Sequence, residues 1–273
     1  MRMPDENGAA NGRLPRPATR TRPSDGSVRA VRRALAILRS FTLSDRALAL
    51  GEIAERAALD KGTTRRLLIT LMTERLIEQD LATKGYSLGL GVLELASGFT
   101  PCDDLRQRAQ PVLAAIAEAT EATAFLGVVH DETALCIGRV DGGQAIQIRS
   151  WSIGGRMPLS CGAGPRVLLA FRPEAEIAAA LARPLPALTP SSPTDPATLG
   201  ETLAAIRGRG WEIGLDDVVE GIGSLGLPVR DRDGRVIAAV SISGLRPHIV
   251  ADERPRHLEI MTAKVAELER RLR

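Results

Sequence analysis

The feature that most restricts the fold is a run of short elements between Val28 and Leu88, in which helical apolar spacing recurs and then stops. Ser27 is a good N-cap, and Val28, Val31, Leu35 and Leu38 follow at helical spacing to about Phe41. A loop with Ser44 and Asp45 leads to a short helix, about Leu50 to Ala57, that offers Ile53 and Ala57 for burial. Leu59 and Asp60 make a tight turn, with Asp60 placed to cap a third helix from Lys61 to about Arg75. Leu67, Leu68, Leu71 and Met72 face inward on that helix. Two extended pieces, Leu76 to Gln79 and Lys84 to Leu88, flank a turn at Asp80 to Thr83.

This order predicts a winged helix-turn-helix. The first two helices bury the inner face of the third, whose outer face is then free to enter a major groove about 12 Å wide. That outer face carries Gly62, Thr63, Arg65, Arg66, Thr70 and Thr73. The expected DNA contacts are Lys61, Thr63, Thr64, Arg65, Arg66 and Thr70, with Lys84 at the hairpin. The free N–H groups at the helix start suit a phosphate. A small bundle with a solvated charged face is the competing reading, and the ordered succession of five elements weighs against it.

Charge is divided unevenly along the chain. The net charge of +3 is the sum of +5 over residues 1–100 and −2 over residues 101–273. An anionic partner is therefore expected for the first part only. Residues 1–26 read as a disordered basic arm, with five arginines among Pro, Gly, Asn and Asp. Its alternatives are an arm that grazes phosphates and an ordinary flexible extension. Residues 27–89 form the expected DNA-binding domain. Residues 90–101 form a linker, with a helix from about Gly91 to Gly98 leading out through Thr100 and Pro101.

Residues 102–273 read as a second domain of α+β class, with a mixed sheet and flanking helices. It opens on an amphipathic helix with Leu105, Ala109, Val112, Leu113 and Ile116 on one face. Strands are expected at Ala124 to His130, Ala134 to Val140 and Gln144 to Trp151, the first two joined at Asp131-Glu132. Helices follow at about Gly164 to Phe171, Glu174 to Leu181 and Asp195-Pro196 to about Arg209. Two more strands, Leu225 to Arg230 and Val236 to Ser243, precede a C-terminal helix with Leu258, Met261, Val265, Leu268 and Leu272.

Several separate segments resemble the IclR family of bacterial transcriptional regulators, over roughly residues 27–250. They are Ala36-Ile37-Leu38, the stretch from Gly51 to Glu78, and the stretch from Gly85 to Ala96. Further on come Arg156 to Ala170, Asp216 to Ser224 and Ala239 to Gly244. The resemblance places Thr63 and Arg66 in the recognition helix, and Tyr86-Ser87-Leu88-Gly89 at the second wing strand. It implies a GAF-like effector-binding domain that helps form a homodimer or homotetramer. The effector is often a small or aromatic carboxylic acid.

The implied site has a physical rationale. Cys161 to Gly164 is small and precedes a helix, so the N–H groups of Ala163 and Gly164 suit a ligand oxygen. Ser241 and Ser243 share one face of a strand. Ser224 and one of Asp216 or Asp217, left open, complete a polar rim, with Met157, Leu159 and Ile222 as apolar walls. Many relatives carry Gly-Lys where this chain has Pro165-Arg166, and the proline removes one N–H from the helix start.

Other classes find less support. No apolar run approaches the roughly 20 residues of a membrane span, and the N-terminus lacks the apolar core of a secretion signal. Cys102, Cys136 and Cys161, with His130, His248 and His257, show no metal-ligand or disulfide spacing, which fits a reducing cytoplasm. No metal and no cofactor is expected. Gly221 to Gly226 matches G-x-G-x-x-G, but without the strand before and helix after that a dinucleotide site needs. The expected function is a ligand-responsive repressor acting on a pseudo-palindromic operator. The alternatives are a small-molecule-metabolising enzyme with an accessory nucleic-acid-binding domain, and a purely structural DNA-binding protein.

Overall fold

A computed structural model describes residues 28–42, 45–98, 103–143, 151–251 and 254–272. The expected Ser27 cap, the disordered arm and the strand over residues 144–150 lie outside them; Trp151 itself is a bend. The chain divides into two compact units at residues 103 and 104.

The first unit contains α1 (Arg29–Leu38), α2 (Leu50–Ala57), α3 (Lys61–Thr73), β1 (Ile77–Gln79), β2 (Tyr86–Leu88) and α4 (Gly91–Ser97). The start of α2 is fixed by Glu52, whose carboxylate accepts the Ala49 N–H at 2.8 Å. Asp60 caps α3, accepting the Thr63 N–H at 2.8 Å. That hydrogen bond holds the Asp60 carboxyl below its ordinary range. Ile37, Leu48, Ile53, Leu68, Leu71, Ile77 and Tyr86 form the core. Leu48 and Tyr86 exchange backbone hydrogen bonds at 2.9 Å, which ties the α1–α2 connection to the wing.

The α1 spacing matches burial only at its end. Val28, Val31 and Leu35 are exposed, and of the four spaced residues only Leu38 packs on the core, beside Ala34 and Ile37. The helix carries two apolar arcs, and periodicity alone does not say which one meets α2 and α3. On α2 it is Ala54, with Ile53, that is buried, while Ala57 is only partly covered.

The second unit begins with α5 (Asp103–Thr120), β3 (Thr123–His130), β4 (Thr133–Val140) and β5 (Arg156–Pro158). Three helices follow, α6 (Ala163–Ala170), α7 (Glu174–Leu181) and α8 (Pro196–Arg209). Then come β6 (Glu212–Leu215), β7 (Ile222–Arg230), β8 (Val236–Leu245), α9 (Arg246–Ile249), β9 (Val250–Ala251), β10 (Arg254–Pro255) and α10 (Leu258–Leu272). Six strands form one sheet in the order β5-β4-β3-β8-β7-β6. The class is α+β, but every pairing among the described residues is antiparallel, so the expected mixed sheet is corrected. The β3–β4 hairpin turns at Asp131 and Glu132, both at positive φ. The strands β5 and β6 lie at the two edges and were too short to announce themselves by alternation.

Alternation along the inner strands assigns the two faces. Phe125 and Ala239 look toward α6 and α8, with Val167, Leu199, Leu203 and Ile206 packed against them. Leu126 looks the other way, toward Leu113 of α5. The register sets Phe125, Ser241, Gly226 and Glu212 in one row across the sheet, and Thr123, Ser243, Ser224 and Gly214 in the next. Gly226 lets α6 descend onto this floor: a Cβ there would lie 2.8 Å from the Ala163 carbonyl carbon and from the Gly164 nitrogen. Backbone cannot step aside as a side-chain tip can. Gly226→Ala is expected to destabilise the second unit by about 1–3 kcal/mol, the usual cost of overpacking. Urea denaturation checks this, and an unchanged midpoint would mean that α6 lifts freely from the sheet.

Candidate functional site

In the first unit the outward side of α3 is charged, exposed and uncommitted. Arg65 and Arg66 are exposed and form no ion pair with any described residue. Lys61 and Thr70 are exposed beside them, Thr63 is partly so, and Lys84 projects from the hairpin at positive φ. Thr64 is corrected. It is fully buried, and its hydroxyl donates to the Asp60 carbonyl at 2.8 Å, so it holds the turn and reaches nothing outside. Among the missed residues is Ile69, 52% exposed within the same outward arc.

In the second unit a cleft opens where the N-terminus of α6 meets the sheet. Its lining includes Phe125, Trp151, Met157, Ala163, Gly164, Asp217, Ile222, Ser224, Ser241 and Ser243, with Gly162, Pro165 and Val218. Its empty space is about 400 Å³, including the part that opens to solvent. Phe125 and Trp151 stack with centroids 5.8 Å apart, and the indole N–H donates to the Gly155 carbonyl at 3.0 Å. Both were missed. The available signal was the scarcity of aromatic residues, 3% of the chain.

The polar groups of the cleft divide into used and unused. Ser224 Oγ accepts the Ala163 N–H at 3.1 Å, so that N–H is already occupied. Gly164, at the second helical position, has no intrahelical carbonyl to bond, by the geometry of a helix start. Ser241 is buried and Ser243 half-buried; neither hydroxyl makes a hydrogen bond to another described residue. A Cβ on Gly164 would lie 2.8 Å from Ser241 Oγ, so the glycine makes room for that hydroxyl.

Asp217 lines the cleft, but its carboxylate is held from behind. Its Oδ2 accepts the Gly162 N–H at 2.6 Å and pairs with buried Arg166. Arg166 also donates to Glu212 at 2.9 Å and to the Ile213 carbonyl at 2.9 Å. Burial works to lower the Arg166 pKa, yet the two carboxylates outweigh it and the net shift is upward. Arg209 covers the second oxygen of Glu212. The cluster is therefore electrically balanced.

Three expected cleft residues lie elsewhere. Leu159 is packed in the α6–α8 core. Cys161 is buried, with Sγ 3.5 Å from the Pro186 carbonyl, and burial pushes its thiol pKa up. Asp216 turns outward to accept the Gly221 N–H at 2.7 Å and to pair with Arg246 at 2.8 Å. Of the two neighbouring aspartates, Asp217 is the one in the cleft lining. The G-x-G-x-x-G stretch lies almost wholly within strand β7, where no phosphate-binding turn exists.

Residues 30–81 match the IclR helix-turn-helix domain, and residues 101–270 match the bacterial transcriptional regulator IclR C-terminal domain. The chain belongs to the IclR family. This IclR-type regulator is similar to the glycerol operon regulatory protein of Streptomyces griseus, at 32% identity over 241 residues, 87% of this chain and 92% of that protein. It is also similar to the transcriptional repressor IclR of Escherichia coli, at 29% identity over 254 residues, 92% of either chain. An IclR transcriptional regulator from Alicyclobacillus acidocaldarius shares its fold with a TM-score of 0.76 and 26% identity, over 90% of this chain and all of that one. An IclR homolog from Microbacterium hydrocarbonoxydans, complexed with 4-hydroxybenzoate, shares the fold with a TM-score of 0.78 and 24% identity, over 89% of this chain and 98% of that one. The protein is thus a transcriptional regulator with a helix-turn-helix head and a ligand-binding C-terminal domain.

Arg166 supports the wall of this regulator's cleft. Arg166→Met would leave the buried Asp217 carboxylate without a cation and Glu212 with Arg209 alone, and is expected to cost about 3–5 kcal/mol, as for other broken buried pairs. The unfolding midpoint of the C-terminal unit checks it. A midpoint equal to that of the unaltered chain would show that Asp217 and Glu212 do not depend on the guanidinium.

Proposed function

We propose that the protein is a ligand-responsive repressor that acts as a symmetric homo-oligomer on a pseudo-palindromic operator. Two copies related by a two-fold axis present two recognition helices, and the symmetry of the site mirrors theirs. Lys61, Thr63, Arg65, Arg66 and Thr70 face the groove, and Lys84 follows the backbone. The observation that carries this reading is that Arg65 and Arg66 are exposed on α3 with no carboxylate partner among the described residues. This reading places its action on DNA in the cytoplasm; among the described residues no helix is long and apolar enough to cross a membrane.

The effector of this reading is a small organic acid. The Ser241 and Ser243 hydroxyls and the Gly164 N–H are the donors for its oxygens, and Phe125, Trp151 and Met157 hold its apolar part. Arg166 neutralises Asp217, so the one carboxylate in the lining does not repel an anion. The effector acts by binding the DNA-free and DNA-bound forms with different affinity, because equal affinity would shift nothing.

Gel shifts on the DNA upstream of the protein's own gene test both halves, with and without a panel of carboxylic acids that includes 4-hydroxybenzoate. Arg66→Ala is expected to weaken binding by about 1–3 kcal/mol, the range for a base-reading arginine; an unshifted titration curve removes that residue from the interface. The double change Ser241→Ala, Ser243→Ala is expected to leave DNA affinity intact and abolish the response to the acid. Retained response means that the acid binds elsewhere.

A further inference from the structure

The outward arc of α3 contains one residue that neither charge nor capping accounts for. At 100° per residue the arc runs, around the helix, through Arg65, Ile69, Gly62, Thr73, Arg66 and Thr70. Ile69 therefore stands between the two arginines and one turn beyond them. The buried side of the helix is served by Thr64, Leu68 and Leu71, so the core makes no use of Ile69. Isoleucine is also a poorer helix former than alanine, and free in solution it adds nothing to the stability of α3.

The neighbours of Ile69 are less polar than their names suggest. Thr73 Oγ1 donates to the carbonyl of Ile69 at 3.1 Å, and Thr70 Oγ1 donates to the carbonyl of Arg66 at 3.3 Å. Both threonines commit their hydroxyl protons to their own helix. What the middle of α3 presents outward is an apolar patch flanked by two guanidinium groups. In the major groove the apolar feature of a base edge is the thymine 5-methyl group, while guanine offers acceptors to arginine.

We propose that Ile69 is a specificity-determining residue that packs on a thymine 5-methyl group in the major groove, beside the bases or phosphates met by Arg65 and Arg66. This rests on the reading of α3 as the recognition helix. It adds a sequence preference that the arginines alone do not supply. Removing the methyl group is worth about fourfold in affinity at each position where it is buried.

The test uses the full-length chain and a random duplex library. A site enriched by binding is resynthesised with each thymine in turn replaced by deoxyuridine, which lacks only the methyl group. The unaltered protein is expected to lose about fourfold in affinity at one position of each half-site. Ile69→Ala is expected to bind the thymine and deoxyuridine duplexes equally at that position, with a melting temperature no lower than that of the unaltered protein, because the side chain is exposed and alanine is the better helix former. Tolerance of every deoxyuridine by the unaltered protein overturns the proposal, as does an Ile69→Ala protein that keeps the same methyl dependence. Failure to enrich any duplex overturns the recognition-helix reading itself, and the two failures are thereby told apart.

Discussion

The placement of the cleft in the second unit depends on one buried guanidinium. Arg166 sits in α6 and takes its partners from the far edge of the sheet: Glu212 on β6 and Asp217 just beyond it. Stripping water from three charges is costly, and the geometry offsets that cost by filling the donor fork with two carboxylates and a carbonyl. Asp217 then passes the constraint on to the Gly162 N–H, which fixes the loop leading into α6. The helix start is held against the centre of the sheet, where Gly226 lets the two backbones approach closely, and a gap opens beside that contact. Ser241 and Ser243 are in that gap because the strand period puts them there.

The head was largely legible in the sequence, and the reason is that its constraints are local. Asp60 caps the helix it precedes, and α2 has the bounds that its apolar spacing gives. The α1 face was misread because the choice between two apolar arcs is made by α2 and α3 and not by α1 itself. Thr64 failed for a related reason. A threonine at a helix start can turn to solvent or back to the chain, and only packing decides.

The cleft was legible in part. Register, which the pairing of β7 with β8 and β3 sets, aligned Ser224 with Ser243 and Phe125 with Ser241. The serines could be placed on one face from spacing alone, but Phe125 could not be placed beside them, since their separation in sequence exceeds any local pattern. Asp216 and Asp217 show the same limit. Adjacent in the chain, they part because Asp216 takes a positive φ and turns outward, while Asp217 meets a guanidinium from another element. The sequence pair Pro165-Arg166 draws attention to the proline and the N–H that it removes from the helix start. Its arginine proves to be structural.

Charge pairing separates the two units further. In the second unit Arg139, Arg156, Arg172, Arg183, Arg207 and Arg246 each meet a carboxylate, in addition to buried Arg166 and exposed Arg209, which share Glu212. Such surface pairs add little stability, but they cancel the field of the arginines that form them. On α3, by contrast, Arg65 and Arg66 are left unpaired, and the helix start adds its own positive end. The net charges of +5 and −2 along the chain already contain this cancellation; the pairing shows where it is made, arginine by arginine in the second unit, and that α3 has none of it. A long-range attraction for a polyanion belongs to the head. In the proposed reading, the cleft selects its ligand by shape and short-range hydrogen bonds.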